Sequence, residues 1–398
     1  MPTSDVVIVG AGAIGSAVAW RCAQRGLSVS LVDPGPLRGA WHTAAGMLAP
    51  ITELHYTETP LLRLGLDSLA RFPAFAAEIS DETGRSVGFQ ACGTVAVAWD
   101  SADLSALRDL HAFAAGLGVE ASLLSGRELR ALEPALAAGL PGGLLAPGDH
   151  QVDSRLLHAA LLSACGQRGV RRVIASASVV VDGSRATGVQ LDDGSTIAAD
   201  HVVIAAGSWS GSIVGVPVEH AARVRPVKGQ TLRLRLPGAP RLGHVLRGTI
   251  KGSPIYLVPR ADGRIVVGAS SEENGFDQQP RAGAVYELLR DAQSVVPELS
   301  EAILEEVSTG LRPGSPDNAP LVGPSGVDGL IHATGHYRNG ILLTPVTADG
   351  VAALIADGVL PAVLHPFVPT RFAAMGNPGP LSPLLTGLGR RKRSAAGK

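Results

Sequence analysis

The start of the chain places a glycine-rich turn between two short apolar runs. Val6-Val7-Ile8-Val9 is a continuous β-branched run, the pattern of a strand buried on both faces in a parallel sheet. Gly10-Ala11-Gly12-Ala13-Ile14-Gly15 follows at once, and residues 16–25 then have the pattern of a helix. Residues 28–32 form a second strand that ends at Asp33. This order of strand, turn, helix, strand and acid predicts a parallel α/β unit that binds a dinucleotide.

Each part of this turn has a physical role. Gly10 permits the tight turn, Gly12 lets a pyrophosphate approach the backbone, and Gly15 lets the helix and strand pack closely. The helix N-terminus presents free N–H groups to the phosphates. Asp33, 18 residues after Gly15, can accept hydrogen bonds from a ribose 2′-hydroxyl and disfavours a 2′-phosphate. These residues predict NAD or FAD rather than NADP, and they do not separate the first two.

Composition bounds the class of protein. A chain of 398 residues with 45% hydrophobic and 17% charged residues can build two or three domains around large cores. The net charge of −1 gives no general field for nucleic acid or an anionic membrane, and no apolar stretch reaches the length of a membrane span. Three cysteines at unrelated spacings fit neither a disulfide framework nor a metal site. We therefore expect a cytoplasmic protein without a metal, whose basic run at residues 390–393 is a solvated tail.

Four later segments carry a resemblance to a known family. They are Ala44-Ala45-Gly46-Met47-Leu48-Ala49-Pro50, residues 204–209, residues 309–317, and Ala333-Thr334-Gly335-His336-Tyr337-Arg338-Asn339-Gly340-Ile341-Leu342-Leu343. In order and spacing they resemble the D-amino-acid oxidase superfamily and, within it, the glycine oxidases of thiamine biosynthesis. The resemblance runs from residue 5 to about residue 358 and implies non-covalent FAD. No cysteine follows Cys165, which excludes a thioether-linked flavin in the last third of the chain.

The resemblance also implies the fold. We expect an α/β chain, α+β overall, with a Rossmann-like FAD-binding domain and a substrate domain built on an antiparallel sheet. The FAD-binding domain is expected at residues 1–85, 145–220 and 310–360, the substrate-binding domain at 86–144 and 221–309, and a C-terminal extension with a flexible tail at 361–398. Periodicity predicts helices at 61–84, 101–117, 126–134 and 280–306 and one that Asp153 caps, and strands at 92–98, 172–181, 186–191, 202–206, 229–236, 255–258 and 264–268.

Three residues are candidates for holding the substrate. Arg312 lies at a strand-to-turn junction, where a guanidinium can form two parallel hydrogen bonds to a carboxylate, although it could instead bind backbone carbonyls. Tyr256 lies on a strand between two apolar residues, so its hydroxyl could face the site or a backbone partner in the core. The resemblance assigns both to the substrate carboxylate and adds Arg338. A histidine beside a glycine turn, such as His336, is more often structural than a catalytic base. No residue is assigned as a catalytic acid or base.

The expected cofactor-binding residues come from the glycine turn and from the resemblance. The latter places Val179 beside the adenosine half of FAD, and the segment that follows His336 along the flavin pyrimidine edge. Gly340 to Leu342 are expected to begin a helix there. The full set is Gly10, Gly12, Ala13, Ile14, Gly15, Asp33, Ala45, Gly46, Met47, Val179, Gly207, His336, Tyr337, Arg338, Asn339, Gly340, Ile341 and Leu342.

The resemblance implies oxidative deamination of glycine or another small amino acid. Hydride leaves the α carbon for flavin N5, and the products are an imine and hydrogen peroxide, with oxygen as acceptor. The imine would serve the thiazole branch of thiamine biosynthesis and could be handed to thiazole synthase by a homo-oligomeric enzyme. Sarcosine oxidase, D-amino-acid oxidase or dehydrogenase, a nicotinamide-dependent dehydrogenase and a non-catalytic flavin sensor remain alternatives.

Overall fold

The computed structural model describes residues 3–35, 39–237 and 242–372. The predicted basic run at 390–393, and the larger part of the predicted extension at 361–398, lie outside the described residues. The helices are α1 Ala13–Gln24, α2 Ala40–Thr43, α3 Thr59–Thr83, α4 Ser101–Gly116, α5 Gly126–Leu132, α6 Ser154–Gln167, α7 Ala282–Val295 and α8 Thr344–Asp357. The strands are β1 Thr3–Val9, β2 Val29–Asp33, β3 Met47–Leu48, β4 Thr94–Ala98, β5 Ser122–Ser125, β6 Gly142–Ala146, β7 His150–Gln151, β8 Arg171–Ile174, β9 Ala177–Asp182, β10 Arg185–Leu191, β11 Thr196–Ile204, β12 Arg225–Arg235, β13 Val245–Ile250, β14 Ser253–Pro259, β15 Arg264–Gly268, β16 Ile303–Gly314, β17 Leu321–Pro324 and β18 Leu330–Thr334.

The first sheet is built around β1. Its strand order is β17-β18-β11-β1-β2-β8, with β9 and β10 attached to β11, and β1 pairs in parallel with both β2 and β11. Val6 and Ile8 pack into a core shared with α1, α3, α6 and α8, whereas Val7 and Val9 pack into a second core on the other face. The β-branched run at 6–9 is therefore a doubly buried parallel strand, as predicted.

The second sheet has the order β16-β12-β15-β14-β13-β4-β6-β5. Its neighbours are antiparallel except for β13 and β4, which pair in parallel. One face packs against α7 in its own apolar core. The other face, which carries Tyr256 and Val258 of β14, packs near Ala45 of the loop that follows α2. The predicted α/β fold with a largely antiparallel second sheet is confirmed.

The secondary structure predicted from local sequence pattern was wrong at several places. Residues 303–306 form a strand rather than a helix, because β16 pairs with β12 over its whole length and sets Glu305 against Arg235. This long strand also crosses the predicted domain boundary at 310, so we propose a boundary after Gly314. The predicted strand at 172–181 is two strands, β8 and β9, and β13 was not predicted. Gly340 to Leu342 form a turn, and α8 begins only at Thr344, with Pro345 in its first turn.

No single helix among the described residues is both long and apolar enough to cross a bilayer. Residues 344–357 and 362–372 meet those criteria of length and composition only when taken together, as a pair bent by 106°.

Candidate flavin and substrate site

A cavity of about 930 Å³ joins the two sheets. It runs from the glycine turn and Asp33 of the first sheet to Tyr256 and Arg312 of the second. This volume lies at the upper end of the range for ligand pockets, about 300–1,000 Å³. The cavity can therefore hold a ligand much longer than an amino acid.

The glycine turn has the shape of a diphosphate cradle. Gly10 has φ +108°, and a Cβ there would lie 2.5 Å from the Ala205 carbonyl oxygen. A Cβ on Gly15 would lie 1.9 Å from the Gly10 carbonyl oxygen, which explains why this glycine packs behind the cavity rather than lining it. No side chain caps the first turn of α1. Its N–H groups are thus available to an anion, as helix N-termini commonly are.

Asp33 shapes the same end of the cavity. One carboxylate oxygen accepts the Ala11 N–H at 2.8 Å, and the other accepts the Gly35 N–H at 2.8 Å. The acid at the end of β2 thereby holds the turn in place. Each oxygen has a second lone pair that can accept a ribose hydroxyl.

Two aromatic side chains that sequence reasoning did not assign to the cofactor form a wall over this turn. The Trp41 indole stacks on the His158 imidazole, with ring centroids 3.7 Å apart and planes inclined by 15°. His158 Nε2 lies 2.7 Å from the Ala11 carbonyl oxygen and therefore donates to it. Burial lowers the pKa of His158, so this imidazole is neutral at neutral pH. The signal for His158 that the sequence offered was the helix capped by Asp153, which turns this histidine inward.

Most of the predicted cofactor residues lie along the cavity. Three do not, and each has another role. Gly15 packs against the turn. Val179 is buried and donates its N–H to the Val214 carbonyl oxygen, so its neighbour Ser178 lines the cavity instead. Leu342 lies in the helical core, where its carbonyl oxygen accepts from Ser68 Oγ at 2.6 Å. The predicted cofactor residues that line the cavity are Gly10, Gly12, Ala13, Ile14, Asp33, Ala45, Gly46, Met47, Gly207, His336, Tyr337, Arg338, Asn339, Gly340 and Ile341.

Arg312 lies on β16 with its guanidinium over Gly229 of the neighbouring strand β12. A Cβ on Gly229 would lie 2.3 Å from Arg312 Nη1, so a larger residue there would displace the guanidinium. Nη1 donates to the carbonyl oxygens of Lys228 at 3.4 Å and Ser270 at 3.2 Å. Among the described residues, both hydrogen bonds of this guanidinium use Nη1. Nη2 and Nε therefore remain for a carboxylate, and the structural and substrate-binding interpretations of Arg312 are compatible.

Tyr256 also lies over a glycine of the neighbouring strand. It pairs across β14 and β15 with Gly268, where a Cβ would lie 2.4 Å from the Tyr256 hydroxyl oxygen. Burial raises the pKa of the Tyr256 phenol, and the positive charge of Arg312 opposes this shift. The phenol is protonated at neutral pH and can donate a hydrogen bond into the cavity.

The segment after β18 closes the cavity beside these residues. His336 is buried, and its Nε2 lies 3.0 Å from Thr347 Oγ1. Burial lowers its pKa to about 3, so His336 is neutral and structural. Tyr337 takes the left-handed conformation at φ +48°. Arg338 is exposed, and its Nη2 donates to His55 Nε2 at 2.7 Å.

A charged cluster fastens α2 to the second sheet. Arg155 Nη2 lies 2.7 Å from Glu306 Oε1, and Arg155 Nε donates to the His42 carbonyl oxygen at 2.8 Å. Arg233, which is 1% exposed, lies on the other side of Glu306, with Nε 3.6 Å from Oε2. Burial lowers the pKa of Arg233 to about 10. The cluster positions His42, which lines the cavity. The charged residues of the cluster lie too far apart in the sequence for a local sequence pattern to predict that they pair.

Comparison with known proteins identifies the family of the chain. Residues 5–354 match the family model described as DAO, FAD dependent oxidoreductase. The chain belongs to this family. The resemblance to the D-amino-acid oxidase superfamily is thus confirmed, and FAD is the cofactor.

Relatives within the family extend over nearly the whole chain. A glycine oxidase of Geobacillus kaustophilus is 36% identical over 373 residues, which cover 92% of this chain and 97% of that protein. The crystal structure of glycine oxidase from that organism superposes with a TM-score of 0.85 at 35% identity, covering 93% of this chain and 99% of the other. The bifunctional protein ThiO/ThiG of Synechocystis sp. is 34% identical over 96% of this chain, which spans only 56% of its length. An iminodiacetate oxidase from Chelativorans sp. BNC1 shares the fold, with a TM-score of 0.82 at 26% identity, and the match covers 92% of this chain and 98% of that one.

The cavity fits the cofactor of the family. The uncapped N-terminus of α1 and the open face of Gly12, whose nearest neighbour would lie 3.9 Å from an added Cβ, suit the diphosphate. Asp33 suits the ribose. The loop around Gly46 and the segment 337–341 line the rest of the cavity up to Arg312. These residues would hold FAD.

Proposed function

We propose that this protein oxidises glycine or a similarly small amino acid. The observation that carries the proposal is the pair of Arg312 and Tyr256 at the second-sheet end of the cavity, each fitted over a glycine of the neighbouring strand. When bound, FAD supplies the two-electron acceptor for the substrate C–H bond. The names of the relatives, glycine oxidase among them, support this substrate class.

The side chains of the site bind and orient the substrate. Arg312 Nη2 and Nε donate to the substrate carboxylate, and the protonated Tyr256 hydroxyl donates a further hydrogen bond. Holding the α carbon at a fixed place contributes several kcal/mol to lowering the barrier. His336, with its pKa of about 3, takes up no proton at neutral pH. The substrate must therefore reach the reaction as the free amine without help from this imidazole.

The pathway and the partners belong to the same proposal. A relative that carries ThiO and ThiG in one chain supports a place in the thiazole branch of thiamine biosynthesis. We propose that oxygen accepts the electrons and that the imine passes to thiazole synthase. We also propose that the enzyme is cytoplasmic and a homo-oligomer.

The test uses the purified holoprotein. The flavin spectrum is recorded under nitrogen during addition of glycine, sarcosine, D-alanine or D-proline, and peroxide is measured in air. Bleaching by glycine with peroxide in air is the expected result. Bleaching without peroxide would mean a dehydrogenase, and reaction only with larger D-amino acids would change the substrate. A flavin that none of the four reduces would contradict the proposal.

A further inference from the structure

A second ion pair lies at the substrate end of the cavity and has no part in the carboxylate anchor. Glu53 lines the cavity, and its Oε1 lies 3.1 Å from Arg247 Nη1. The two side chains are 13% and 20% exposed. Both side chains are thus mostly buried, and the cost of removing two charges from water offsets much of the attraction between them, so such a pair contributes little to stability. Its place beside the substrate site therefore needs another explanation.

The fold holds Glu53 at this place. The preceding turn is capped by Asp149, which is fully buried and accepts the N–H groups of Ile51 at 3.0 Å and Thr52 at 2.8 Å. Thr52 Oγ1 donates to the same carboxylate at 2.7 Å and accepts from Arg247 Nη1 at 3.4 Å. Glu53 is thus a fixed acid on the wall of the cavity rather than a mobile surface group.

Arg247 lies next to the substrate anchor. It is directly opposite Tyr256 in the antiparallel pair of β13 and β14, so the two side chains share the face that looks toward the cavity. The charges of Glu53, Arg247 and Arg312 all act on the Tyr256 hydroxyl. Arg247 is therefore a cation beside the substrate end of the cavity that is already paired with an acid, whereas Arg312 lies on the cavity wall.

This arrangement bears on substrates with two carboxylates. Arg312 and Tyr256 are sufficient for one carboxylate, and Arg247 would suit a second one if Glu53 did not occupy it. The fold itself allows such a substrate, because an iminodiacetate oxidase shares it. Specificity of this kind often depends on a repulsive group as much as on an attractive one.

We propose that Glu53 is a specificity-determining residue that excludes substrates with a second anionic group. Its carboxylate neutralises Arg247 and repels the second carboxylate of an N-carboxymethyl amino acid such as iminodiacetate. Amino acids with a single carboxylate and no other anionic group are not repelled. The inference rests on the proposed function for the substrate class, but it concerns this acid alone.

The experiment compares Glu53→Gln with Glu58→Gln in the holoprotein. Glu58 is an acid of the same loop that does not line the main cavity. For each protein, kcat/KM is measured with glycine and with iminodiacetate, and the dissociation constants of acetate and malonate are measured by calorimetry. We expect Glu53→Gln to raise the ratio of iminodiacetate to glycine, and the relative affinity for malonate, at least tenfold. Glu58→Gln should leave both ratios unchanged.

A double variant tests the role assigned to Arg247. Glu53→Gln combined with Arg247→Gln should lose the gain, because the cation assigned to the second carboxylate is absent. Glu53→Ala carries the same expectation if the glutamine variant folds poorly. Unchanged ratios for both reaction and binding in the Glu53 variants would overturn the inference. If glycine does not reduce the wild-type flavin but the malonate ratio still shifts, the proposed function fails while the inference stands.

Discussion

Gly229→Ala tests whether Arg312 binds the substrate carboxylate without touching Arg312 itself. The added Cβ would lie 2.3 Å from Nη1, 2.5 Å from Nη2 and 2.6 Å from Cζ. Ordinary carbon contacts need about 3.5 Å, so the guanidinium must move by about 1 Å. The clashing atoms are the far end of a flexible side chain, and Gly229 lies in a regular strand. We therefore expect the free energy of unfolding to change by less than about 1 kcal/mol.

This displacement of the Arg312 guanidinium should weaken substrate binding. A hydrogen bond to a charged group contributes about 1.5–3 kcal/mol, so losing one of the two bonds should lower kcat/KM for glycine by about 10- to 100-fold. Most of the change should appear in KM, because the anchor acts on substrate and transition state alike. The dissociation constant of acetate, followed by the flavin spectrum, should rise by a similar factor while the protein stays yellow.

Gly283→Ala is the matched control. It adds the same methyl group to α7, where nothing lies within 4 Å of the new Cβ. This variant should keep the wild-type KM and bind acetate as before. A Gly229→Ala protein with wild-type values for both constants would refute the assignment of Arg312 as the carboxylate anchor.

Three further predictions address other parts of the site. Tyr256→Phe removes one donor to the carboxylate and should raise KM for glycine by about 10-fold, measured by peroxide release, with little change in kcat. His158→Leu removes the hydrogen bond to Ala11 and the stack on Trp41; the dissociation constant of FAD, measured by reconstituting the apoprotein, should rise by about 10-fold. Burial raises the pKa of Asp149 to about 6, so between about pH 4 and pH 6 the folded state binds more protons than the unfolded state and stability falls as pH rises. Relative to Asp149→Asn, wild type should lose up to about 3 kcal/mol of unfolding free energy across that window in denaturant titrations, and a constant difference would contradict the shift.

The part of the fold that the sequence predicts best is the part with local causes. The first strand, the glycine turn and Asp33 are contiguous, and each responds to a steric or hydrogen-bonding demand within a few residues. The prediction of a helix at residues 303–306 was wrong for the opposite reason. Leucine and glutamate favour a helix locally, but pairing with β12, more than 60 residues earlier in the chain, determines their conformation.

The site shows the same division. Arg312 and Tyr256 were assigned to the substrate by resemblance to a family, and this stays a prediction, since an arginine at the end of a strand is by itself as suited to backbone carbonyls as to a carboxylate. The stack of Trp41 on His158 and the pair of Glu53 and Arg247 were not predicted, because each joins side chains that are more than 100 residues apart. No periodicity relates such positions, and only the packing of α6 and β13 brings them together.

Sequence did contain one signal for the substrate site that pattern reasoning passed over. Gly229 lies within β12 and Gly268 is the last residue of β15, and glycine is unfavourable in a strand unless another group approaches closely. In the structure each glycine lies under a long side chain of the neighbouring strand that we propose to bind the substrate, Arg312 in one case and Tyr256 in the other. The missing side chains create the space that holds the guanidinium and the phenol against the sheet. The loss of stability from glycine in these strands is thus offset by a rigid site. Two long side chains can lie flat on a β-sheet only where the residues beneath them have no side chain.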